Sequence, residues 1–156
     1  MLEMAVEAVR GFAIDKNIDF KSDLSQLPAR NDLSPLLAMM RQAAEACDRM
    51  AHERSSDSNE QVRLLRLHLI IEECAELIQG ILDANPEEIM DGSADLIYVV
   101  LGANIAFDLP ICDAFMAVHL SNMTKAPRVG DDMRLRNKGE DYVAPALTQK
   151  DYNAST

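Results

Sequence analysis

Apolar positions along this chain recur every three to four residues, the period of a helix face, and not at every second residue as in a strand. Residues 2–14 carry the first such stretch, and KNIDFKSDLSQLPARND, dense in turn formers, follows as a loop or extended arm. Ser34-Pro35 then offers an N-cap with proline in the first turn, and LLAMMRQAAEACDRMAHE continues the period until it breaks at Ser55–Ser58. A third helix is predicted from Asn59 to Asp83, and a fourth from Asn85-Pro86 to about Phe107. A fifth starts at Asp108–Pro110 and ends near Thr124. Short connections make consecutive helices antiparallel neighbours, so the expected fold is an all-α bundle. After Pro127 the sequence changes to RVGDDMRLRNKGEDYVAPAL, rich in Gly, Asp and basic residues. The expected organisation is an N-terminal helix and arm over 1–34, a helical core over 35–126 and a basic, partly mobile C-terminal segment over 127–156.

Composition agrees with helix: aromatics are 4%, Trp is absent, and Met, Ala and Leu are abundant. With 156 residues, 48% of them apolar and 26% charged, one compact globular domain is expected. Lys and Arg number 15 against 26 Asp and Glu, a formal net charge of −11, which argues against a general nucleic-acid binder. No apolar run of about 18 residues is apparent, and MLEMAVEAVR lacks the plan of a secretory signal, so a cytoplasmic protein without a membrane partner is expected. Cys47, Cys74 and Cys112 stand singly in apolar-periodic stretches with no CxxC, the pattern of reduced core thiols. Met39, Met40 and Met50 at helical spacing read as core packing, not as a soft-metal site.

The chemistry concentrates in IIEECAELIQGILDANPEEIMDGSADLIYVVLG. At about 100° per residue, Glu72, Glu73 and Glu76 leave the third helix within one arc of roughly 100°. Clustered Glu ordinarily marks a solvated face. Here Leu65, Leu69 and Gly80 share the arc, and Leu64, Leu67, Ile70, Ile71, Cys74, Leu77, Ile78 and Ile81 fill the other side, the pattern of an interior helix. Carboxylates in or beside an interior need a counter-ion, because an unpaired buried charge costs several kcal/mol. On the next helix Asp91 and Asp95, spaced i and i+4, share a face with Tyr98, Gly102 and Ala106, the small residues leaving room for a partner helix or a ligand. Asp83-Ala84-Asn85-Pro86 turns the two helices antiparallel, with acids opposite acids. An all-oxygen set suits Mg²⁺ or Mn²⁺ and not zinc; a divalent-metal site and an accidental acidic patch both fit. A di-iron carboxylate bundle does not, because the residues three before His52, His68 and His119 are Arg49, Leu65 and Met116, leaving no Glu-x-x-His. His68, one turn before Glu72, and His119 read as core-edge residues.

Glu72, Glu73 and Glu76 in the form EExxE, followed after a short turn by DGSADLIYVVLG, resemble the all-α nucleoside triphosphate pyrophosphohydrolases, a superfamily that includes MazG-like proteins, dimeric dUTPases and phosphoribosyl-ATP pyrophosphohydrolases. Arg66 in RLHLIIEE, the HLSNMTK run from His119 to Lys125 and NKGEDYVAPAL are similar to the MazG-like branch, the resemblance covering roughly Val62 to Leu147. One position departs from the pattern: the usual second motif is ExxD, but Gly92 stands three before Asp95, and Asp91 resembles the acid of a DxxxD form.

The resemblance implies hydrolysis of a nucleoside triphosphate between the α and β phosphates, with Glu72, Glu73, Glu76, Asp91 and Asp95 around Mg²⁺ and Glu73 orienting or deprotonating the water. Lys125 to Lys138 carries a net +3, leaving −14 on the rest of the chain. That run is either a solvated tail or a source of phosphate donors, Lys125 and Lys138, joined by Arg66. Asn122 is a candidate for a base or sugar, and Tyr98 for the cavity wall or the core. The apolar helix faces imply a homodimer or homotetramer that completes the bundle. Gly92 in place of the expected Glu motivates a second reading, a nucleotide-binding or regulatory protein on the same scaffold with weak catalysis.

Overall fold

The computed structural model describes residues 2–16, 33–53, 58–127 and 138–147. Within them lie five helices: α1 (Leu2–Asp15), α2 (Ser34–Glu53), α3 (Ser58–Leu82), α4 (Pro86–Ala106) and α5 (Ile111–Met123). No strand occurs among the described residues, and every predicted helix forms with ends within about two residues of its expected bounds. The arm at 17–32, the break at 54–57 and most of the basic segment, 128–137, lie outside the described residues. The chain divides into two compact units, Asp23–Leu109 and the pairing of Met1–Ser22 with Pro110–Thr156.

In the first of these units α2, α3 and α4 run up, down and up. Gln61 Nε2 donates to Ala51 O at 3.4 Å, and His68 Nδ1 lies 3.1 Å from Ala44 O, so residue numbers rise on α3 as they fall on α2. The turn between α3 and α4 is built from local chemistry. Ala84 adopts φ 52°, while Ala84 N donates to Ile81 O at 3.2 Å and Asn85 N to Gly80 O at 3.0 Å, the paired bonds of a Schellman ending. Asn85 then caps α4, its Oδ1 accepting from Glu87 N at 3.1 Å and Glu88 N at 3.5 Å, with Pro86 in the first turn. Glu87 and Glu88 complement the positive end of the helix dipole.

Two glycines set the α3–α4 distance. A Cβ on Gly80 would stand 2.9 Å from Glu88 Cβ and 3.0 Å from Ile89 N, and one on Gly92 would stand 2.9 Å from both Cα and N of Leu77. The helices therefore touch backbone to backbone near the turn. At Gly102 a Cβ would meet only the Arg66 guanidinium, 2.9 Å from one terminal nitrogen, so higher up the seam a side chain and not backbone fills the gap.

The buried apolar residues of this unit are Leu37, Ala44, Leu64, Ala75, Val99 and Ala103, and no large side chain among the described residues is fully buried. The interior position expected for α3 is thus not reached within one chain: Leu65, Leu67 and Ile81 stay exposed, because only two helices of its own unit pack on it. α4 is 21 residues long and its most apolar 18-residue stretch has a mean hydropathy of 1.3, long and apolar enough to cross a membrane by length and composition, although Asp91 and Asp95 lie within it. The core-thiol expectation also needs correction. Cys47 and Cys74 are half-buried free thiols, but Cys112, in the first turn of α5, is exposed.

In the other unit α1 packs on α5. Lys16 is buried, its Nζ donating to Met123 O at 2.8 Å and pairing with Asp15 at 2.6 Å, so a cation closes the C-terminal end of α5 where the helix dipole is negative. Residues 138–147 are fastened to the same end: Ser121 Oγ donates to Val143 O at 2.7 Å, and Val143 N donates to Thr124 Oγ1 at 2.9 Å. Val9, Phe12, Phe115, Val118, His119 and Asn122 line a shallow groove on this unit, which gives His119 the edge position expected of it.

Candidate active site

The antiparallel contacts at Gly80, Gly92 and Gly102 bring the middle of α3 opposite the middle of α4, with Glu73 and Asp95 at corresponding heights. Glu73 is half-buried, whereas Glu72, Glu76, Asp91 and Asp95 are exposed around it. Burial first, and then the charges of Glu76, Asp95, Glu72 and Asp91, push the Glu73 carboxyl above its ordinary range. All five acids read from the sequence therefore act on one place. Their expected position in an interior is only partly realised: Glu73 alone of the five is withdrawn from solvent, because α3 has an open side in the single chain.

Glu72 turns toward His68, whose Nε2 lies 3.4 Å from Glu72 Oε2. The carbonyl of Ala44 only accepts, so the proton of His68 Nδ1 is assigned to that 3.1 Å contact. Among the described residues no three His, Cys, Asp or Glu groups converge closely enough to hold a metal ion as they stand. The donor chemistry is nonetheless of the kind that suits a hard divalent cation: all five groups are carboxylates, and the charges of four of them act on the fifth, Glu73.

Gly92, the departure from ExxD, has a packing cause. A side chain there would run into the α3 backbone at Leu77, so no acid fits at that position in this helix pair, while Asp91 one residue earlier is exposed and near enough to Glu73 to act on it. Tyr98 is 79% exposed, which excludes a core tyrosine in the single chain. Its place is on the outer side of α4, since Val99 and Ala103 take the buried stripe.

Arg66 occupies the acidic seam itself. It lies two helical turns before Glu73, as Gly102 lies two turns after Asp95, and its guanidinium rests on the bare Cα of Gly102. Its Nε is the buried side-chain nitrogen or oxygen that lacks a hydrogen-bond partner among the described residues. Asn122, Lys125 and Lys138 belong to the other unit. Asn122 faces the groove between α1 and α5, Lys125 is half-buried just beyond the end of α5, and the exposed Lys138 holds its Nζ 4.7 Å from the centre of the Tyr142 ring.

The groups that sequence reasoning missed are those that position others. Gly102 was legible only as a small residue leaving room; its occupant is Arg66. Ser121 and Thr124 lie in the HLSNMTK run and tether Val143, a pairing for which spacing offers no signal. Lys16, inside a stretch with no recognisable motif, closes α5.

Comparison with known proteins fits this arrangement. The chain matches the family model of phosphoribosyl-ATP pyrophosphohydrolase over residues 39–122, more than half its length, a span containing all five carboxylates and Arg66. It is also similar to an uncharacterized protein, L479, of Acanthamoeba polyphaga mimivirus, 42% identical over 53 residues, which is 34% of this chain and 21% of that protein. The chain thus spans about a fifth of that relative's length. No solved structure matches it. An all-helical chain whose matched span encloses the acidic seam belongs to the phosphoribosyl-ATP pyrophosphohydrolase family, within the all-α nucleoside triphosphate pyrophosphohydrolase superfamily.

Proposed function

We propose that this protein is a Mg²⁺-dependent nucleotide pyrophosphohydrolase that cleaves the α–β phosphoanhydride of a (d)NTP, or of an adduct such as phosphoribosyl-ATP, to the monophosphate and pyrophosphate. The observation that carries the reading is the electrostatic convergence of Glu72, Glu76, Asp91 and Asp95 on Glu73. Carboxylates repel a triphosphate, so they serve this reaction only with a divalent cation between. Glu72, Glu73, Glu76, Asp91 and Asp95 would hold Mg²⁺, with Mn²⁺ as a substitute, which when bound neutralises phosphate oxygens and acidifies a coordinated water. Glu73, the least exposed of the five, would orient the attacking water and take its proton. Arg66, two turns along the seam, donates to phosphate oxygens.

The same reading makes the protein a cytoplasmic homodimer or homotetramer with no nucleic-acid or membrane partner. A catalytically weak nucleotide binder is the second reading; it is motivated by Gly92, whose close packing on Leu77 gives the missing side chain a structural cause. The test is a panel of common and modified nucleotides, with phosphoribosyl-ATP among them, assayed for pyrophosphate release. Turnover of at least one member with Mg²⁺ or Mn²⁺, abolished by chelator, is expected. Well-folded protein that turns over none of them would overturn the proposal, and metal-dependent nucleotide binding without turnover would establish the binding role instead.

A further inference from the structure

The seam between α3 and α4 changes character along its length. Near the turn the two backbones meet at Gly92 and Leu77; two turns beyond Glu73 and Asp95, α4 meets only the tip of Arg66 at Gly102. Arginine bonds anions through a planar fork, so the direction in which that fork is held decides which oxygens it reaches. The Arg66 Nε is buried and has no acceptor among the described residues, although an unmet buried donor is costly. A Cβ at position 102 would stand 2.9 Å from a terminal guanidinium nitrogen and 3.6 Å from Cζ, and beyond its own stretch of α4 nothing else of the described structure lies within 4 Å. A methyl group there would therefore displace Arg66 and leave the rest of the helix pair in place.

We propose that Gly102 is a positioning residue for Arg66: its bare Cα lets the guanidinium lie on the α3–α4 seam, where it receives the phosphate oxygens farthest from the carboxylate end of the site. This assignment rests on the nucleotide reading of the acidic seam and deepens it by separating the polyphosphate-binding part from the metal-binding part. Gly102 touches no substrate and acts through Arg66 alone.

The experiment measures steady-state kinetics for the best nucleotide of the panel and calorimetric binding of tripolyphosphate with Mg²⁺ to the full chain. The proteins compared are wild type, Gly102→Ala, Arg66→Ala and the double variant. Gly102→Ala is expected to raise KM and to weaken tripolyphosphate binding roughly tenfold or more, the size of a lost charge-assisted hydrogen bond. Its melting temperature should hold or rise, because alanine is the better helix former, and its kcat should change less than KM. The double variant should bind no more weakly than Arg66→Ala, since a residue acting only through Arg66 has nothing to add once Arg66 is gone. Arg66→Gln replaces Arg66→Ala if the latter does not fold. Wild-type KM and tripolyphosphate affinity in Gly102→Ala, or independent losses that multiply in the double variant, would overturn the assignment. If no nucleotide is turned over, the proposed reaction falls while the tripolyphosphate titration still decides the role of Gly102.

Discussion

Gly92 lies against the backbone of Leu77 so closely that a Cβ added to it would stand 2.9 Å from both the Cα and the N of that residue. The contact joins α4 to α3 one turn below the level of Glu73 and Asp95, so it governs how nearly the two acidic faces approach. A methyl group here presses on backbone, which yields far less readily than a flexible side chain.

Gly92→Ala is accordingly expected to destabilise the protein by about 1–3 kcal/mol, the usual cost of overpacking, even though alanine favours helix. Thermal or urea unfolding measures it. Gly92→Glu, which restores the familiar ExxD, should be less stable still and should not gain activity. Higher pyrophosphate release from Gly92→Glu would show that the missing acid, and not the helix contact, is what matters at this position.

The second expectation concerns acidity. The Glu73 carboxyl is held above its ordinary value by burial and by Glu76, Asp95, Glu72 and Asp91, so in metal-free protein the folded state binds its proton more tightly than the unfolded chain does. The stability that this group contributes is present below the unfolded value of about 4.5 and is lost as pH rises through the raised folded value. In excess chelator, Glu73→Gln should therefore melt at a higher temperature than wild type at pH 7, and the two should converge near pH 4. Mg²⁺ or Mn²⁺ should raise the melting temperature of wild type and do little for Glu73→Gln. Parallel melting curves across that pH range would show that the neighbouring acids do not act on Glu73.

Much of this was legible in the residues, for physical reasons that are themselves local. Asn85-Pro86 marks a helix start through the Asn85 cap and the fixed proline φ, and Ser34-Pro35 and Asp108–Pro110 do so through their prolines, so α2, α4 and α5 begin close to where expected. The five acids were legible because helical spacing alone puts Glu72, Glu73 and Glu76 on one arc and Asp91 and Asp95 on another. What spacing lacks is tertiary register. That Glu73 and not Glu72 is the withdrawn acid, that Gly102 faces Arg66, and that Gly92 has no room for a side chain all depend on how α3 and α4 are set against each other to within an ångström or two. The inward position of α3 was overread because an apolar surface signals burial without saying by what.

The α3–α4 turn supplies a third test. Ala84 sits at φ 52°, in the left-handed region where a Cβ crowds the following carbonyl, and Asp108 repeats the conformation at φ 51° after α4. Both fill the Schellman position where glycine is commonest. Ala84→Gly relieves strain of about 1–2 kcal/mol and adds unfolded-state entropy worth somewhat less, for a net stabilisation of roughly 0.5–1 kcal/mol. Asp108→Gly should gain less, because a short polar side chain tolerates this region better. Denaturant unfolding measures the change, and an Ala84→Gly variant less stable than wild type at an unchanged m-value would show that the lost backbone entropy outweighs any strain at this turn.

The last prediction concerns the outer face of α4. Ile97, Leu101 and Ile105 are spaced i, i+4 and i+8, so they form one exposed stripe opposite the buried Val99 and Ala103, and Ile105 is 80% exposed. A contiguous apolar stripe on a helix whose own unit buries so few large side chains is a surface suited to another copy of the chain. Light scattering at micromolar concentration is expected to give at least twice the 17.3 kDa of one chain. Ile105→Glu puts a charge at the end of the stripe, on its most exposed residue, without touching the α3 contact, and it should shift the population toward monomer while leaving helix content unchanged. A wild-type mass of one chain would defeat this reading, and so would an Ile105→Glu variant that assembles as wild type does, because either result would leave the stripe without a role in self-association.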